Sequence, residues 1–269
     1  MNCKICKSPS VKVFDEKVLN KYTVDYFLCT ACGFVQTEEP YWIPEAYGSA
    51  IADMDTGLLE RNQKIAFVLP TIIKSYFDKN AQFLDFGAGY GVLVRLMRDK
   101  NFNFYWQDFY CENIFSKGFG IESLPEKSRK FELITAFEVF EHMVNPVEEL
   151  EKIIQYGDSI LFSTNLLPSK INLQSEPEKL KKWWYLSQET GQHTSLYTKK
   201  SLEALGKQFN FHFYSNGYNL HLFSKKEINP YIFRILSFLK IVKDLVSKSA
   251  DKDGTRIDRE KYKDLKVVV

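Results

Sequence analysis

The chain lacks a surplus of either charge and lacks any long apolar run. Its 36 Lys and Arg residues are balanced by 34 Asp and Glu residues, which gives a formal net charge of +2. Because no long basic run or basic-aromatic stripe is present either, nucleic-acid binding is not predicted. No segment reaches the roughly 20 apolar residues of a membrane span, and the N-terminus lacks the apolar core of a secretory signal peptide. We therefore expect a globular, cytoplasmic protein without a transmembrane segment.

Cysteine is also scarce, with five in 269 residues, and in a cytoplasmic protein these thiols should stay reduced rather than form disulfides. Four of them form two C-x-x-C pairs, and the interleaved apolar and polar residues between the pairs indicate short strands. Two such turns supply four thiolates in a tetrahedron, which is the closed coordination of structural zinc. The predicted ligands are Cys3, Cys6, Cys29 and Cys32. Cys111 lies outside this pattern and is expected to be a buried small residue.

A glycine-rich turn follows a short apolar strand predicted at Phe83–Phe86. The turn contains Gly87, Gly89 and Gly91, and a helix is predicted directly after it, at Val92–Arg98. A strand, a tight turn and a helix in this order place backbone N–H groups and a helix N-terminus against one small ligand. Nicotinamide and flavin sites use G-x-G-x-x-G, whereas the third glycine comes one position earlier here. The spacing therefore disfavours a nucleotide-dependent oxidoreductase, which stays open as an alternative.

An acidic residue, Asp108, lies about 20 positions beyond the glycine-rich turn, a spacing typical of adenosine sites. It follows a strand predicted at 102–106. At the carboxyl end of that strand, its carboxylate can accept both ribose hydroxyls of an adenosine cofactor, and Phe109 can lie against the adenine. A helix is predicted to begin within Glu112–Phe115, and a further short strand near 118–122.

A second group of polar residues follows a buried strand predicted at Phe131–Phe137. The strand ends in the sequence EVFEH, from Glu138 to His142. If a helical turn follows Glu138, then Glu141 and His142 lie three and four positions later and point to the same side. Further helices are predicted from about Thr56 to Phe77, from Asn145 to Gln155 and from Lys199 to Phe209, and further strands at Ser159–Ser163, Phe211–Ser215 and Asn219–Ser224.

The motif D-x-G-x-G-x-G at Asp85–Gly91 resembles motif I of class I S-adenosylmethionine (SAM)-dependent methyltransferases. The EVFEH sequence at Glu138–His142 is a second mark of that family, and the resemblance covers about residues 82–226. The C-x-x-C pairs ahead of this core resemble those of zinc-bearing sugar methyltransferases from bacterial glycan and antibiotic pathways. The resemblance implies an α/β fold with a Rossmann-like seven-stranded sheet, helices on both faces and an antiparallel last strand, preceded by a small zinc-binding β module.

The same resemblance implies a domain order. We expect a zinc-binding module at 1–45, a helical connector at 46–80, a SAM-binding methyltransferase domain at 81–226, and an amphipathic helix with a charged tail at 227–269. It also implies a set of cofactor-binding residues, which are Asp85, Gly87, Ala88, Gly89, Asp108, Phe109, Phe137 and Glu138. Tyr47 and Arg61 can contact SAM or the acceptor, and ordinary packing or surface roles for them are at least as well supported.

The resemblance further implies catalytic residues and a class of acceptor. The acceptor is expected to be a small hydroxylated molecule, such as a nucleotide-linked sugar or a glycan, that is methylated on oxygen or carbon. The catalytic candidates are His193, Glu141 and His142. One interpretation makes His193 a general base or acceptor contact, because an imidazole can take a proton at neutral pH. A second uses Glu138, Glu141, His142 and His193 to bind Mg²⁺ or Mn²⁺, and a third makes His193 a structural residue. A non-catalytic scaffold that binds SAM and zinc also stays open.

Apolar residues recur at helical spacing between Ile228 and Val246, with Arg234, Lys240 and Lys243 among the polar positions. This pattern predicts a basic amphipathic helix. Packing on the domain or on a second subunit, as in a homodimer, is favoured over contact with a membrane surface. The mixed charges of 248–266 predict a frayed tail.

Overall fold

The computed structural model describes residues 1–48, 57–169, 173 and 175–238. The chain divides into two compact units, each assembled from separate stretches of sequence. The first unit contains Met1–Ala52, Glu138–Lys152 and Phe162–Lys225, and the second unit contains Asp53–Phe137, Ile153–Leu161 and Lys226–Val269. The domain boundaries expected from the sequence stay a prediction.

Strands and helices alternate along most of the described chain. The strands are β1 (Ser10–Val18), β2 (Tyr22–Cys29), β3 (Val35–Thr37), β4 (Gln82–Phe86), β5 (Asn103–Gln107), β6 (Leu133–Phe137), β7 (Ser159–Ser163), β8 (Ser195–Leu196), β9 (His212–Ser215) and β10 (Leu220–Ser224). The α-helices are α1 (Ile43–Ala46), α2 (Leu58–Tyr76), α3 (Val92–Arg98), α4 (Pro146–Ile153), α5 (Glu178–Lys181), α6 (Lys199–Gln208) and α7 (Pro230–Leu236).

Six strands pair in the order β5-β4-β6-β7-β10-β9. β4 lies between β5 and β6 and is parallel to both, whereas β10 and β9 are antiparallel. Parallel neighbours need a crossover connection, and α3 lies in the one between β4 and β5. β4 buries four of its five residues, Phe83, Leu84, Asp85 and Phe86, as expected for a strand covered on both faces. The α/β Rossmann-like fold class predicted from the sequence is therefore confirmed.

The strand predicted near 118–122 is reduced to one isolated parallel bridge, between Trp106 and Gly120. A 3₁₀ turn, Ile121–Ser123, follows at once. The Ser123 hydroxyl donates to the Gly120 carbonyl at 2.7 Å, which closes the turn instead of extending the pairing along β5. Within the described residues the sheet therefore has six strands where the resemblance implied seven.

The helix predicted to begin within Glu112–Phe115 is absent from the structure, and this prediction was wrong. The backbone N–H groups of Ile114 and Phe115 both donate to the Tyr90 carbonyl, at 3.1 and 2.9 Å. Those donors are therefore not available for helical i to i−4 bonds. Cys111, in the same stretch, is half-buried rather than fully buried, and burial raises the pKa of its thiol to about 11.

The first unit contains a four-stranded sheet in the order β1-β2-β3-β8. β1 and β2 form an antiparallel hairpin, and β3 pairs antiparallel with both β2 and β8. Large aromatic side chains of this unit are buried in one cluster, among them Trp42, Tyr26 and Tyr185. Three strands of this sheet therefore come from the N-terminal region with the cysteine pairs, and the fourth, β8, comes from much later in the chain.

Two predicted helices extend beyond the described residues. Thr56, the predicted start of the first, is outside them, and α2 then continues as one helix through the buried Pro70.

Asn229 caps α7 by accepting hydrogen bonds from the N–H groups of Tyr231 and Ile232, and both of these side chains are exposed. The rest of the predicted amphipathic helix and the charged tail lie in 239–269, outside the described residues. Among the described residues, no helix is both long and apolar enough to cross a membrane.

Candidate functional site

The two C-x-x-C turns bring four thiols together. The Sγ atoms of Cys3 and Cys32 are 3.7 Å apart, and those of Cys6 and Cys29 are 3.4 Å apart. Four sulfurs around a zinc ion with bonds of about 2.3 Å would be separated by about 3.8 Å, so this donor set fits zinc. The hydrogen bond between Cys3 and Cys32 lowers the pKa of Cys3 to about 5 and raises the pKa of Cys32, so the two sulfurs share a proton that a bound metal would displace. A zinc ion here would be held by protein ligands alone, with no position for substrate.

Purified protein is expected to contain one zinc per chain. Cys29→Ser should lower the metal content sharply and destabilise the residues around the two turns, because folding of a small metal module is coupled to metal binding. Elemental analysis of protein purified without chelator measures this directly. Cys111→Ser, which removes a thiol outside the cluster, is the matched control and should keep its zinc. Wild-type protein without zinc would contradict the assignment.

The glycine-rich loop after β4 depends on backbone conformations that suit glycine. Gly87, Gly89 and Gly91 have φ values of 69°, 53° and 86°. A Cβ atom at Gly91 would clash with the Ser116 Oγ atom, so a larger residue there would displace its neighbour. The N–H groups of Gly87 and Ala88 donate to the Gln107 carbonyl at 2.9 and 3.1 Å. The loop is therefore held in one conformation by the end of β5.

Asp108, directly after β5, is bound to the same loop. Its Oδ2 atom accepts a hydrogen bond from the Gly89 N–H at 2.8 Å, and its Oδ1 atom accepts from the N–H groups of Tyr110 and Cys111 at 2.7 and 2.8 Å. The Trp106 indole N–H donates to the Gly89 carbonyl at 2.8 Å. Asp108 was predicted from the sequence, whereas Trp106 was not, since its only signal was its position two residues before the acidic residue.

The other predicted cofactor residues of the second unit differ in exposure. The Asp85 carboxyl is buried and accepts a hydrogen bond from the Thr135 hydroxyl at 2.6 Å, and burial raises its pKa to about 7. It faces β6 rather than solvent. Phe109 is 70% exposed and meets the Phe86 ring edge-on at 6.0 Å. Ala88 and Phe137 are half-buried, as is Arg61 on α2, the possible contact of SAM or the acceptor.

Glu138, the residue after β6, has a left-handed backbone with φ of 54°. Its N–H donates to the Ser163 hydroxyl at 2.8 Å, and that hydroxyl donates to the Glu138 carboxylate at 2.5 Å. Ser163 therefore holds both the backbone N–H and the carboxylate of Glu138. A left-handed conformation is uncommon outside glycine and is found more often at functional sites. A 3₁₀ turn at Phe140–His142 follows, so the predicted helical turn after Glu138 is a tight one.

Glu141 is fully buried in the first unit. The Tyr185 hydroxyl donates to its Oε1 atom at 2.6 Å, whereas its Oε2 atom has no hydrogen-bond partner within the described part of the chain. Burial, and then the nearby charge of Glu138, raise the pKa of Glu141 well above its ordinary value. A buried carboxyl oxygen without a partner is costly, which marks this position as one built for a ligand or a proton.

His142 and His193 lie beside Glu141. The two imidazole rings meet edge-on with centroids 4.9 Å apart, and one ligand atom from each of the three residues lies within 4.8 Å of the others. The His142 Nδ1 atom is 3.1 Å from the Tyr47 hydroxyl, and His193 Nδ1 is 2.6 Å from the Tyr185 carbonyl oxygen. Burial, with His193 as a further contribution, lowers the pKa of His142 to about 3, so it is neutral at neutral pH.

The structure thus brings together the three predicted catalytic residues and places Tyr47 beside His142. Glu138, the fourth residue of the predicted divalent-metal set, lies outside this group of possible ligands. Tyr185 was not among the predicted site residues, although it contacts both Glu141 and His193. The only signal for it was the aromatic run Trp183–Tyr185.

A family model described as a methyltransferase domain matches residues 59–216. None of the curated proteins matches this chain. Among solved structures, the chain is similar to the plantazolicin methyltransferase BpumL in complex with a monoazolic desmethylPZN analog and SAH, with 14% identity, a TM-score of 0.45, and coverage of 69% of this chain and 93% of that one.

Two further structures are similar at the same level. CalO1, a methyltransferase in calicheamicin biosynthesis, has 11% identity and a TM-score of 0.46, with 69% of this chain and 60% of that chain covered. An O-methyltransferase family 2 protein from Planctomyces limnophilus, in complex with apigenin, has 11% identity and a TM-score of 0.39, with 68% and 66% covered. The family match itself contains the glycine-rich loop, Asp108, Glu141, His142 and His193.

Proposed function

Because this chain belongs to the methyltransferase domain family, we propose that it transfers a methyl group from SAM to a small hydroxylated acceptor, such as a nucleotide-linked sugar or a glycan. Asp108 and the glycine-rich loop, which would bind SAM, belong to the second unit, whereas Glu138 and the candidate catalytic residues belong to the first. Two rival functions are a SAM-binding scaffold without activity and a nucleotide-dependent oxidoreductase.

The observation that carries the SAM assignment is the position of Asp108. Its carboxylate is fixed against Gly89 of the loop, and the Oδ2 atom accepts one hydrogen bond there. A carboxylate oxygen has two lone pairs, so Oδ2 can also accept a ribose hydroxyl. Trp106 and Gln107 hold the same loop from the end of β5. An acidic residue at this place in a Rossmann-like sheet suits an adenosine cofactor.

His193 is the residue proposed to remove the acceptor proton. Because the Tyr185 carbonyl oxygen can only accept, the His193 Nδ1 atom carries the proton of that 2.6 Å hydrogen bond. The Nε2 atom is then the nitrogen that can take a proton. In the reaction, an acceptor hydroxyl oxygen attacks the methyl carbon, the bond from that carbon to the SAM sulfur breaks, and the hydroxyl proton passes to Nε2. His142 cannot serve in this way at neutral pH because its pKa is lowered to about 3.

The aromatic residues beside His193 support a ring-shaped acceptor. Trp184 is 72% exposed and meets the Tyr185 ring edge-on at 5.3 Å, and Tyr185 in turn meets the His193 ring at 4.7 Å. An exposed indole offers an apolar face with a polar edge, which suits the C–H face of a sugar.

A divalent cation at Glu141, His142 and His193 is the second candidate for the same residues. The specific observation in its favour is the buried Glu141 Oε2 atom, which has no hydrogen-bond partner in the described residues and lies in a cluster of possible ligands. One carboxylate and two imidazoles fit Mn²⁺, and Mg²⁺ less well. Such an ion would polarise the acceptor hydroxyl and ease loss of its proton.

Ligand-induced thermal shifts and an acceptor screen together test the proposal. SAM is expected to raise the melting temperature and NAD is not, since a ligand that binds only the folded state stabilises it. Protein with labelled SAM is then offered nucleotide-linked sugars and small hydroxylated compounds, and product mass identifies the methylated molecule. A shift with NAD instead of SAM would favour the oxidoreductase, and a SAM shift without transfer to any compound would favour the scaffold.

A further inference from the structure

The segment that carries His193, residues 191–196 (the His193 segment), pairs with the N-terminal region that contains the four cysteines, residues 1–45 (the cysteine module). β8 at the end of the segment lies antiparallel to β3, with Val35 opposite Leu196 and Gln36 opposite Ser195. The Thr37 N–H continues this ladder by donating to the Thr194 carbonyl at 3.1 Å. The residues on the C-terminal side of His193 are therefore fixed by β3.

Trp42 fixes the other side of the same segment. Its indole N–H donates to the Gly191 carbonyl at 2.8 Å, and the side chain is only 1% exposed. Gly191 has φ of 67°, and a Cβ atom there would lie 2.8 Å from Val18 and 3.2 Å from Trp42. The Gln192 side chain donates to the Ala46 carbonyl at 2.9 Å. His193 thus lies between two anchored stretches of backbone.

The opposite edge of the segment binds the turn that carries the other two candidate catalytic residues. The Thr194 N–H donates to the Glu141 carbonyl at 3.0 Å, and the Ser195 hydroxyl donates to the Met143 carbonyl at 2.6 Å. A displacement of the segment would therefore also disturb Glu141 and His142.

Both cysteine turns converge on β3. The Gln36 side chain accepts from the Lys4 N–H at 2.8 Å and donates to the Asn2 carbonyl at 3.1 Å, so it holds the residues on both sides of Cys3. The Cys29 N–H donates to the carbonyl of Phe34, the residue before β3, at 2.8 Å. The Thr198 hydroxyl, just beyond β8, donates to the Cys32 carbonyl at 2.7 Å. A metal that fixes the four sulfurs therefore fixes β3 and, through it, β8.

We propose that the metal-bound cysteine module positions His193, with Trp42 as the main positioning residue. The module is then part of the acceptor site rather than a separate domain, and loss of zinc disorders that site without weakening SAM binding. The catalytic meaning of this positioning rests on the proposed function, whereas the positioning itself is measurable without any acceptor.

The experiment compares two indoles that each donate to a glycine carbonyl at 2.8 Å, Trp42 to Gly191 and Trp106 to Gly89. Trp42→Phe and Trp106→Phe each remove the N–H donor while keeping an aromatic ring. ¹⁵N-histidine NMR of the full chain reports on His193, whose signals are assigned by comparison with His193→Asn. Calorimetry gives the SAM affinity of each variant. Wild-type protein stripped of zinc by a strong chelator is measured in the same way.

Trp42→Phe and zinc removal are expected to shift or broaden the His193 ring signals while the SAM dissociation constant changes by less than about twofold, since Asp108 and the glycine-rich loop, which would hold SAM, belong to the second unit. Trp106→Phe is expected to do the opposite, weakening SAM binding and leaving the His193 signals in place. Unchanged His193 signals in zinc-stripped protein would overturn the proposal, as would equal effects of the two Trp variants. If Trp42→Phe fails to fold, the zinc-stripped wild type decides. If SAM binds none of the proteins, the proposed function fails, and the His193 signals still test the positioning.

Discussion

His193→Ala is expected to lower the rate of acceptor methylation by about 10²–10⁴-fold and to leave SAM affinity unchanged, because it removes a general base and none of the residues predicted to bind SAM. The Nδ1 atom of His193 is committed to the Tyr185 carbonyl, so the proton transfer depends on Nε2. His142, with its pKa lowered to about 3, cannot replace it at neutral pH. Single-turnover transfer of labelled methyl to the acceptor found in the screen measures the rate, and calorimetry measures SAM affinity.

His193→Asn separates positioning from proton transfer. The Asn amide N–H₂ can occupy the position of the His193 Nδ1 atom and donate to the Tyr185 carbonyl, while the basic Nε2 atom is lost. This variant should therefore be as slow as His193→Ala if His193 is the base. His212→Ala, at an exposed position on β9, is the matched control and should keep the wild-type rate. Full activity in both His193 variants would assign the residue to the scaffold.

The same assay distinguishes the base from the divalent cation. With His193 as base, added Mg²⁺ or Mn²⁺ should have no effect. With a cation at Glu141, His142 and His193, removal of loosely bound divalent ions should abolish activity, added Mn²⁺ should restore it, and Glu141→Gln should be as harmful as His193→Ala. Zinc analysis of the treated protein shows whether the four-cysteine cluster has kept its metal, so that loss of the module is not mistaken for loss of a catalytic ion.

The parts of the site that local chemistry dictates were predictable from the sequence. Three glycines in five residues indicate backbone with positive φ, and Gly87, Gly89 and Gly91 all have it. Paired C-x-x-C turns indicate a four-thiol cluster, and the four sulfurs do lie together. Asp108 was predicted to lie at the end of the strand beside the glycine loop, and parallel pairing of β4 with β5 brings it there.

Long-range pairing was not predictable. β3 and β8 are about 160 residues apart in sequence, and β8 is only two residues long, so no periodic pattern indicated it. The predicted helix near Glu112 failed for a related reason, because the carbonyl of Tyr90, from another part of the chain, takes the backbone donors that a helix needs. Trp106 and Tyr185 carry ordinary aromatic signals in the sequence, and only the fold shows which carbonyl or carboxyl each one reaches.

Asp108→Ala is expected to weaken SAM binding by about 10²-fold or more, since a hydrogen bond to a charged group contributes about 1.5–3 kcal/mol and more than one would be lost. The change removes the acceptor for the ribose hydroxyls, and it also releases the N–H groups of Gly89, Tyr110 and Cys111 that the carboxylate holds. Asp108→Asn keeps one oxygen for two of those N–H groups and loses the other, so it should have a smaller effect. Calorimetric titration with SAM gives each dissociation constant.

The control for this prediction is Asp78→Ala in the same unit. Asp78 is exposed, and its carboxylate accepts a hydrogen bond from the N–H of Asn80 at 2.9 Å, which is the same local turn chemistry as Asp108 and Tyr110 but away from the glycine-rich loop. SAM affinity in Asp78→Ala should equal that of the wild type. If Asp108→Asn and Asp108→Ala weaken SAM equally, the loss comes from the Gly89 and ribose contacts of one oxygen, because Asn keeps the turn intact. If neither variant weakens SAM, the cofactor does not lie against the end of β5, and the assignment of the loop fails with it.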